Sequence, residues 1–173
     1  MTRSYTYNGK LDTDYMAWER WIEDALSICD GLGFEANYYG VEVADKLGGK
    51  AHPISGLSKK VANAKKNNDI ITGISIMVLP ENFSSVAFDY IITLSRNANY
   101  ITLIINEDYE MRVDEPVIID ALRNNIVACS GEVYEMDIYE CPEVYARKVN
   151  RKESFKSLKI IASLMQKGEV YDL

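Results

Sequence analysis

Histidine is all but missing from this chain, with His52 alone among 173 residues. A Ser or Cys nucleophile needs a base within hydrogen-bond reach, so any Cys-His chemistry would have to use that one side chain. Cysteine is nearly as scarce. Cys29, Cys129 and Cys141 are odd in number and form no C-x-x-C pair, which excludes a disulfide framework and a zinc ribbon. Cys29 and Cys129 fall on apolar stretches that suit inert buried thiols, and Cys141 lies beside acids that raise a thiol pKa. Positive charge is short as well: 19 Lys and Arg against 26 Asp and Glu give a net charge of -7. That balance repels nucleic-acid phosphate and favours basic partners, so direct nucleic-acid binding is not expected. No apolar run approaches the ~18 residues of a membrane span, and Met1 to Tyr7 lack the apolar core of a signal peptide. The expectation is a cytoplasmic protein that makes no use of a membrane.

Two glycine-bearing segments fail as nucleotide loops. In Lys46-Leu47-Gly48-Gly49-Lys50-Ala51, Ala51 stands where Ser or Thr should hold magnesium, and Ala44 where the first glycine belongs. Gly31-Leu32-Gly33-Phe34 follows a helical pattern instead of a strand and lacks the third glycine, so helix termination explains it better. No catalytic residue, metal site or cofactor is assigned.

What is present is a good core. A chain that is 47% hydrophobic can bury one without staples, and no linker or repeat divides residues 1–173, which predicts a single α+β domain. Its centre is 69–106, three apolar runs separated by turn residues. Ile70, Thr72, Ile74, Ile76 and Val78 share one face of the first run, and Ile71, Met77 and Leu79 the other. After Pro80-Glu81-Asn82, the span Val86 to Ser95 alternates with one wetter face, on which Asp89 is the most conspicuous carboxylate. Arg96 to Asn99 then turn into Tyr100 to Ile105. Connections this short join antiparallel neighbours, so 69–106 reads as a β-meander in a mainly antiparallel sheet of about five strands.

Around the meander, residues 1–12 read as an edge strand or an ordered arm. Asp12, Thr13 or Asp14 can cap a helix over 14–30 whose apolar stripe includes Trp18, Trp21, Ile22, Ala25, Leu26, Ile28 and Cys29. Residues 34–43 carry a strand signal weakened by Gly40. The stretch 44–68 is the least apolar, an exposed excursion with a short basic helix. Asp114 and Pro116 open a helix over 114–124; Asn124-Asn125 end it, or it runs on to Ser130-Gly131. Residues 132–140 alternate as a strand with Tyr134, Met136 and Ile138 on one side. Residues 142–152 read as a loop or short helix. A last amphipathic helix is expected over 153–166, with Phe155, Leu158, Ile161, Ala162 and Met165 in register and Gly168 at its end. Three main helices, 14–30, 114–124 and 153–166, would cover the sheet.

Function is carried by the distribution of charge. Glu107, Asp108, Glu110, Asp114, Glu115 and Asp120 face only Arg112 over 107–120, and Glu132, Glu135, Asp137, Glu140 and Glu143 stand without a base over 132–143. If both segments lie at one end of the sheet, they form with Tyr109, Tyr134 and Tyr139 an acidic, tyrosine-rich surface suited to tight, fast binding of a basic protein. In size, charge, mixed α/β order and missing catalytic constellation the chain resembles bacterial immunity proteins, the inhibitors of contact-dependent or polymorphic toxins. That resemblance implies a cognate toxin domain as partner and steric occlusion of a nuclease-type active site. The partner-binding residues read from charge are Glu107, Asp108, Glu110, Asp114, Glu115, Glu132, Glu135, Asp137, Tyr139 and Glu140. The competing reading is a small-molecule-binding or enzymatic domain with a site near 44–68, using His52, Lys50 and Asp89. Strand addition at tyrosine-rich edges, 34–43 or 132–140, would make a homodimer or a partner-bound complex.

Overall fold

The structure, a computed structural model, describes residues 1–48, 50–126 and 128–165, with the side chains of 128, 129 and 165 outside the description. In chain order the elements are β1 (Thr2–Lys10), α1 (Tyr15–Gly31), β2 (Tyr38–Val43), β3 (His52–Pro53), α2 (Leu57–Lys66), β4 (Ile71–Val78), β5 (Ile92–Asn97) and β6 (Tyr100–Asn106). They continue with α3 (Glu115–Arg123), β7 (Ala128–Met136), α4 (Pro142–Ala146) and β8 (Lys159–Met165). The strands form one sheet in the order β3-β2-β4-β5-β6-β1-β7-β8, every pair antiparallel. The meander is present as β4-β5-β6, but the sheet has eight strands where about five were expected. No helix among the described residues is long and apolar enough to cross a membrane.

β1 accounts for part of the difference. It is neither an edge strand nor an arm: it lies inside the sheet, between β6 and β7. Its alternate hydroxyl residues look solvent-facing in sequence, yet Thr2, Ser4 and Thr6 are buried. Thr2 and Thr6 fit because hydroxyls can pair with each other and with the backbone. Thr6 Oγ1 lies 2.6 Å from Thr102 Oγ1, and Thr2 Oγ1 donates to the Met136 carbonyl at 2.9 Å.

The expected 153–166 helix is overturned. Lys152–Ser154 make a short 3-10 turn, and 159–165 form β8, running antiparallel to β7. Ile161, Ala162 and Met165 recur at a spacing a helix would also accept, but β7 offers an otherwise unpaired row of backbone groups, and β-branched Ile160 and Ile161 suit a strand. Gly168, the expected stop, lies outside the described residues. Both segments proposed for strand addition are interior: β2 lies between β3 and β4, and β7 between β1 and β8.

The second meander strand starts later than its pattern suggests, at Ile92. Asp89 Oδ2 accepts from Ser84 N at 2.7 Å, Ser85 N at 2.7 Å and Ser84 Oγ at 2.8 Å, folding the preceding residues into a turn. Those donors, Ser85 N foremost, also hold the Asp89 carboxyl below its usual range. In β4, Ile74, Ile76 and Val78 join the larger core while Met77 and Leu79 face the other side. Ile70 precedes the strand and is exposed, and the register of β4 on β2 shifts between Glu42 and Val43.

The larger core lies between one face of the sheet and helices α1, α2 and α3. Asp14 caps α1 by accepting from Ala17 N at 2.7 Å, and Gly33, at φ 87°, follows its C-terminal end. Trp18, Trp21, Ala25, Ile28 and Cys29 are buried along the stripe, and Trp21 Nε1 donates to the Ile74 carbonyl at 3.2 Å. The excursion at 44–68 is only half exposed, because Leu57, Val61 and Ala64 of α2 enter the core. Asp114 caps α3, which ends before Asn124-Asn125. The opposite face carries a smaller core of Tyr134, Met136, Tyr145 and Phe155, with α4 packed on it.

Candidate partner-binding surface

Antiparallel register decides where the acidic segments meet. Thr2 of β1 lies opposite Asn106 of β6 and Met136 of β7, so the residues after β6 and those ending β7 emerge at one end of the sheet. Between them stands Arg3. Its guanidinium donates to Glu135 Oε1 at 2.7 Å and to Glu115 Oε1 at 3.3 Å, and Nε lies 3.7 Å from Glu107. Tyr5 Oη donates to the same Glu115 oxygen at 2.7 Å. The hydrogen bond from Arg3, then that from Lys159, holds the Glu135 carboxyl below its usual range. Glu107, Glu115 and Glu135 are therefore brought together, but around an internal cation.

The remaining candidates divide by what they touch. Asp114 caps α3, and Asp137 accepts from Tyr139 N at 2.9 Å, which starts the 3-10 turn Ile138–Glu140 where a continued strand was expected. Tyr139 is 74% exposed, its ring 5.6 Å from that of Phe88. Asp108 and Glu110 are exposed, and their carboxylates have no partner among the described residues. An open groove of about 640 Å³ runs beside them. Ile105, Tyr109, Met111 and Val113 supply its apolar wall, and Glu107, Glu110, Arg3 and Arg112 its polar one.

Glu132 and Glu140 serve the chain itself. Glu132 lies on the α4 face and accepts from Lys148 at 2.6 Å, Tyr145 at 2.7 Å and Lys152 at 2.9 Å. Glu140 accepts from Ser157 Oγ at 2.6 Å, Ser157 N at 2.9 Å and Lys156 N at 3.0 Å, which fastens the chain leading into β8. Burial by itself would raise the Glu132 carboxyl, but the bonds from Lys148, Tyr145 and Lys152 together outweigh it and bring the group to about 2. An unfolded glutamate titrates at about 4.3, so the native state binds fewer protons, and this stabilisation is complete above that value and lost as pH falls toward 2. Melting temperature measured against pH should drop more steeply over that window in the native protein than in Glu132→Gln. Parallel curves would remove this network from the account of acid stability.

No known family, curated protein or solved structure matches this chain. Its surface has to be read from its own chemistry.

No hydrogen bond, ion pair or ring contact joins His52, Lys50 and Asp89 among the described residues. His52 belongs to β3, with its ring 5.7 Å from that of Tyr39, and Asp89 is occupied by its turn. Lys50 lines a separate groove on the α4 face. Cys29 is fully buried, and burial followed by the charge of Asp30 pushes its thiol up to about 12. The Cys141 thiol is also raised, by burial first and then by Glu143. The side chain of Cys129 lies outside the description. Among the described residues no three His, Cys, Asp or Glu side chains converge as a metal site. Sequence reading missed Arg3 as the hub of the acidic end. Its signal was an arginine in an otherwise neutral run, Thr2 to Asn8.

Proposed function

We propose that the chain is a protein-binding inhibitor that docks a basic protein partner at the end of its sheet. The supporting observation is the meeting of the 107–115 segment with the end of β7, which leaves Asp108 and Glu110 without a partner among the described residues, beside an apolar-walled groove. Apolar contact with Tyr109 and Met111 supplies area, and the free carboxylates supply steering and selectivity for a basic surface. In its most specific form the partner is a nuclease-type toxin domain and the chain its immunity protein. The carboxylates then engage the Lys and Arg that the toxin uses on RNA or DNA, and the body of the domain blocks the substrate's path.

The test is capture of partners from the native organism at low and high salt, with the native chain and with Asp108→Lys/Glu110→Lys. Neither side chain has a partner among the described residues, so the variant should melt like the native protein. A single basic protein should be retained at low salt by the native chain, with association slowed by roughly tenfold or more in the variant. Co-expression with that partner should rescue cells from its toxicity. Retention that ignores both salt and charge reversal, or no retained protein at all, would overturn the reading.

A further inference from the structure

The three helices α1, α2 and α3 cover one face of the sheet, while on the other α4 and the 83–90 loop leave a groove across β2, β4, β5 and β6. Its volume is about 360 Å³, within the range of sites that take small molecules. Met77, Val86, Ile104 and Val144 make it largely apolar. Tyr90 also lines it, and this side chain is only 4% exposed, yet its hydroxyl has no hydrogen-bond partner among the described residues. A buried tyrosine hydroxyl ordinarily finds one. Burial first, and then the neighbouring Tyr134 and Glu143, push the Tyr90 hydroxyl up, so it stays protonated.

The charged rim shows what is missing. Glu143 accepts from Tyr100 Oη at 2.8 Å and from Arg147 at 2.9 Å, and the Arg147 guanidinium also lies 3.6 Å from Glu42. Both rim carboxylates and the arginine are thus already engaged. Lys50 is exposed at the rim and has no partner among the described residues. Among the described residues the groups without a partner at the groove include two that can donate, the buried Tyr90 hydroxyl and the exposed Lys50 ammonium, beside an apolar floor. A ligand head group that accepts from both and balances the ammonium carries a negative charge.

We propose that this groove binds a small carboxylic acid with an apolar body, such as a short-chain fatty acid or an aromatic acid. Lys50 and Tyr90 recognise its acceptor atoms, and Met77, Val86, Ile104 and Val144 receive its hydrocarbon. This activity is independent of the acidic sheet end, and Asp108→Lys/Glu110→Lys leaves it unchanged.

Three probes with the same hydrocarbon body separate the head-group chemistry: octanoate, octanol and octylammonium, titrated against the full chain and followed by calorimetry and thermal shift. Octanoate should bind at least about tenfold more tightly than the other two and raise the melting temperature as its concentration rises. Lys50→Met should bring octanoate to the level of octanol. Tyr90→Phe should weaken octanoate by roughly three- to tenfold, while the ligand-free variant melts no lower than the native protein, since it loses only an unpartnered buried hydroxyl. Equal binding of octylammonium or octanol, no binding of any probe, or indifference to both variants would overturn the proposal. So would a lower melting temperature of ligand-free Tyr90→Phe, which would mean that the hydroxyl already has a structural partner, such as a bound water.

Discussion

Trp21→Ala should lower stability by about 3–5 kcal/mol, the usual cost of truncating a buried tryptophan to alanine. Trp21 is fully buried at the middle of α1, and its indole N–H is tied to the Ile74 carbonyl of β4. Truncation removes apolar area, opens a cavity between the helix and the most buried part of the sheet, and strips a hydrogen bond from a dry site. For a chain of this length that is a fall of about 6–20 °C in melting temperature. Trp21→Phe keeps most of the volume and loses the N–H, so it should cost much less, about 0.5–1.5 kcal/mol for the bond plus a small packing loss. Thermal melts of the two variants side by side test the assignment. If alanine cost no more than phenylalanine, Trp21 would not be what docks α1 on the sheet.

Gly131→Ala should destabilise by about 1–3 kcal/mol, the range for overpacking a tight core, although the residue is in a strand where alanine normally does better than glycine. A Cβ at 131 would lie 2.5 Å from Tyr7 Cδ1, 2.7 Å from Tyr7 Cε1 and 2.9 Å from Leu164 Cβ. Tyr7 is buried and its ring is rigid, and Leu164 belongs to β8, so one strand or the other must move. β8 is the outermost strand on that side and is the one expected to yield. Hydrogen exchange should show β8 amides losing protection in Gly131→Ala while those of β6 keep theirs. A double-mutant cycle with Tyr7→Ala isolates the ring contact. The penalty of Gly131→Ala should shrink by about 0.5–3 kcal/mol when the ring is gone, and strict additivity would remove Tyr7 as the cause.

These two sites differ in how far they can be read from sequence. Trp21 declares itself: it sits in an apolar stripe at helical spacing behind an acidic cap, and any helix so patterned must bury that stripe. The β4-β5-β6 meander, α1 and the capped α3 were legible for the same reason, since periodicity, turn residues and caps act between neighbours a few residues apart. Gly131 carries no such mark. Its constraint comes from Tyr7, brought over it by the β1–β7 pairing that sets Tyr7 opposite Gly131.

The sequence by itself determined the class of this protein: an α+β domain with a meander core, an excess of carboxylates in two blocks, and no cysteine or glycine pattern for a disulfide framework or a nucleotide loop. Tertiary structure decided the interior place of β1, the strand at 159–165, and the role of each acid. Glu135 and Glu115 became partners of Arg3, Glu132 a partner of Lys148 and Lys152, and Asp108 and Glu110 have no partner among the described residues. The physical reason is that a carboxylate's availability depends on the cation or donor that faces it, and in this sheet that group comes from a strand or turn distant in sequence. Local pattern sets what a segment can be, whereas long-range register sets what its side chains meet.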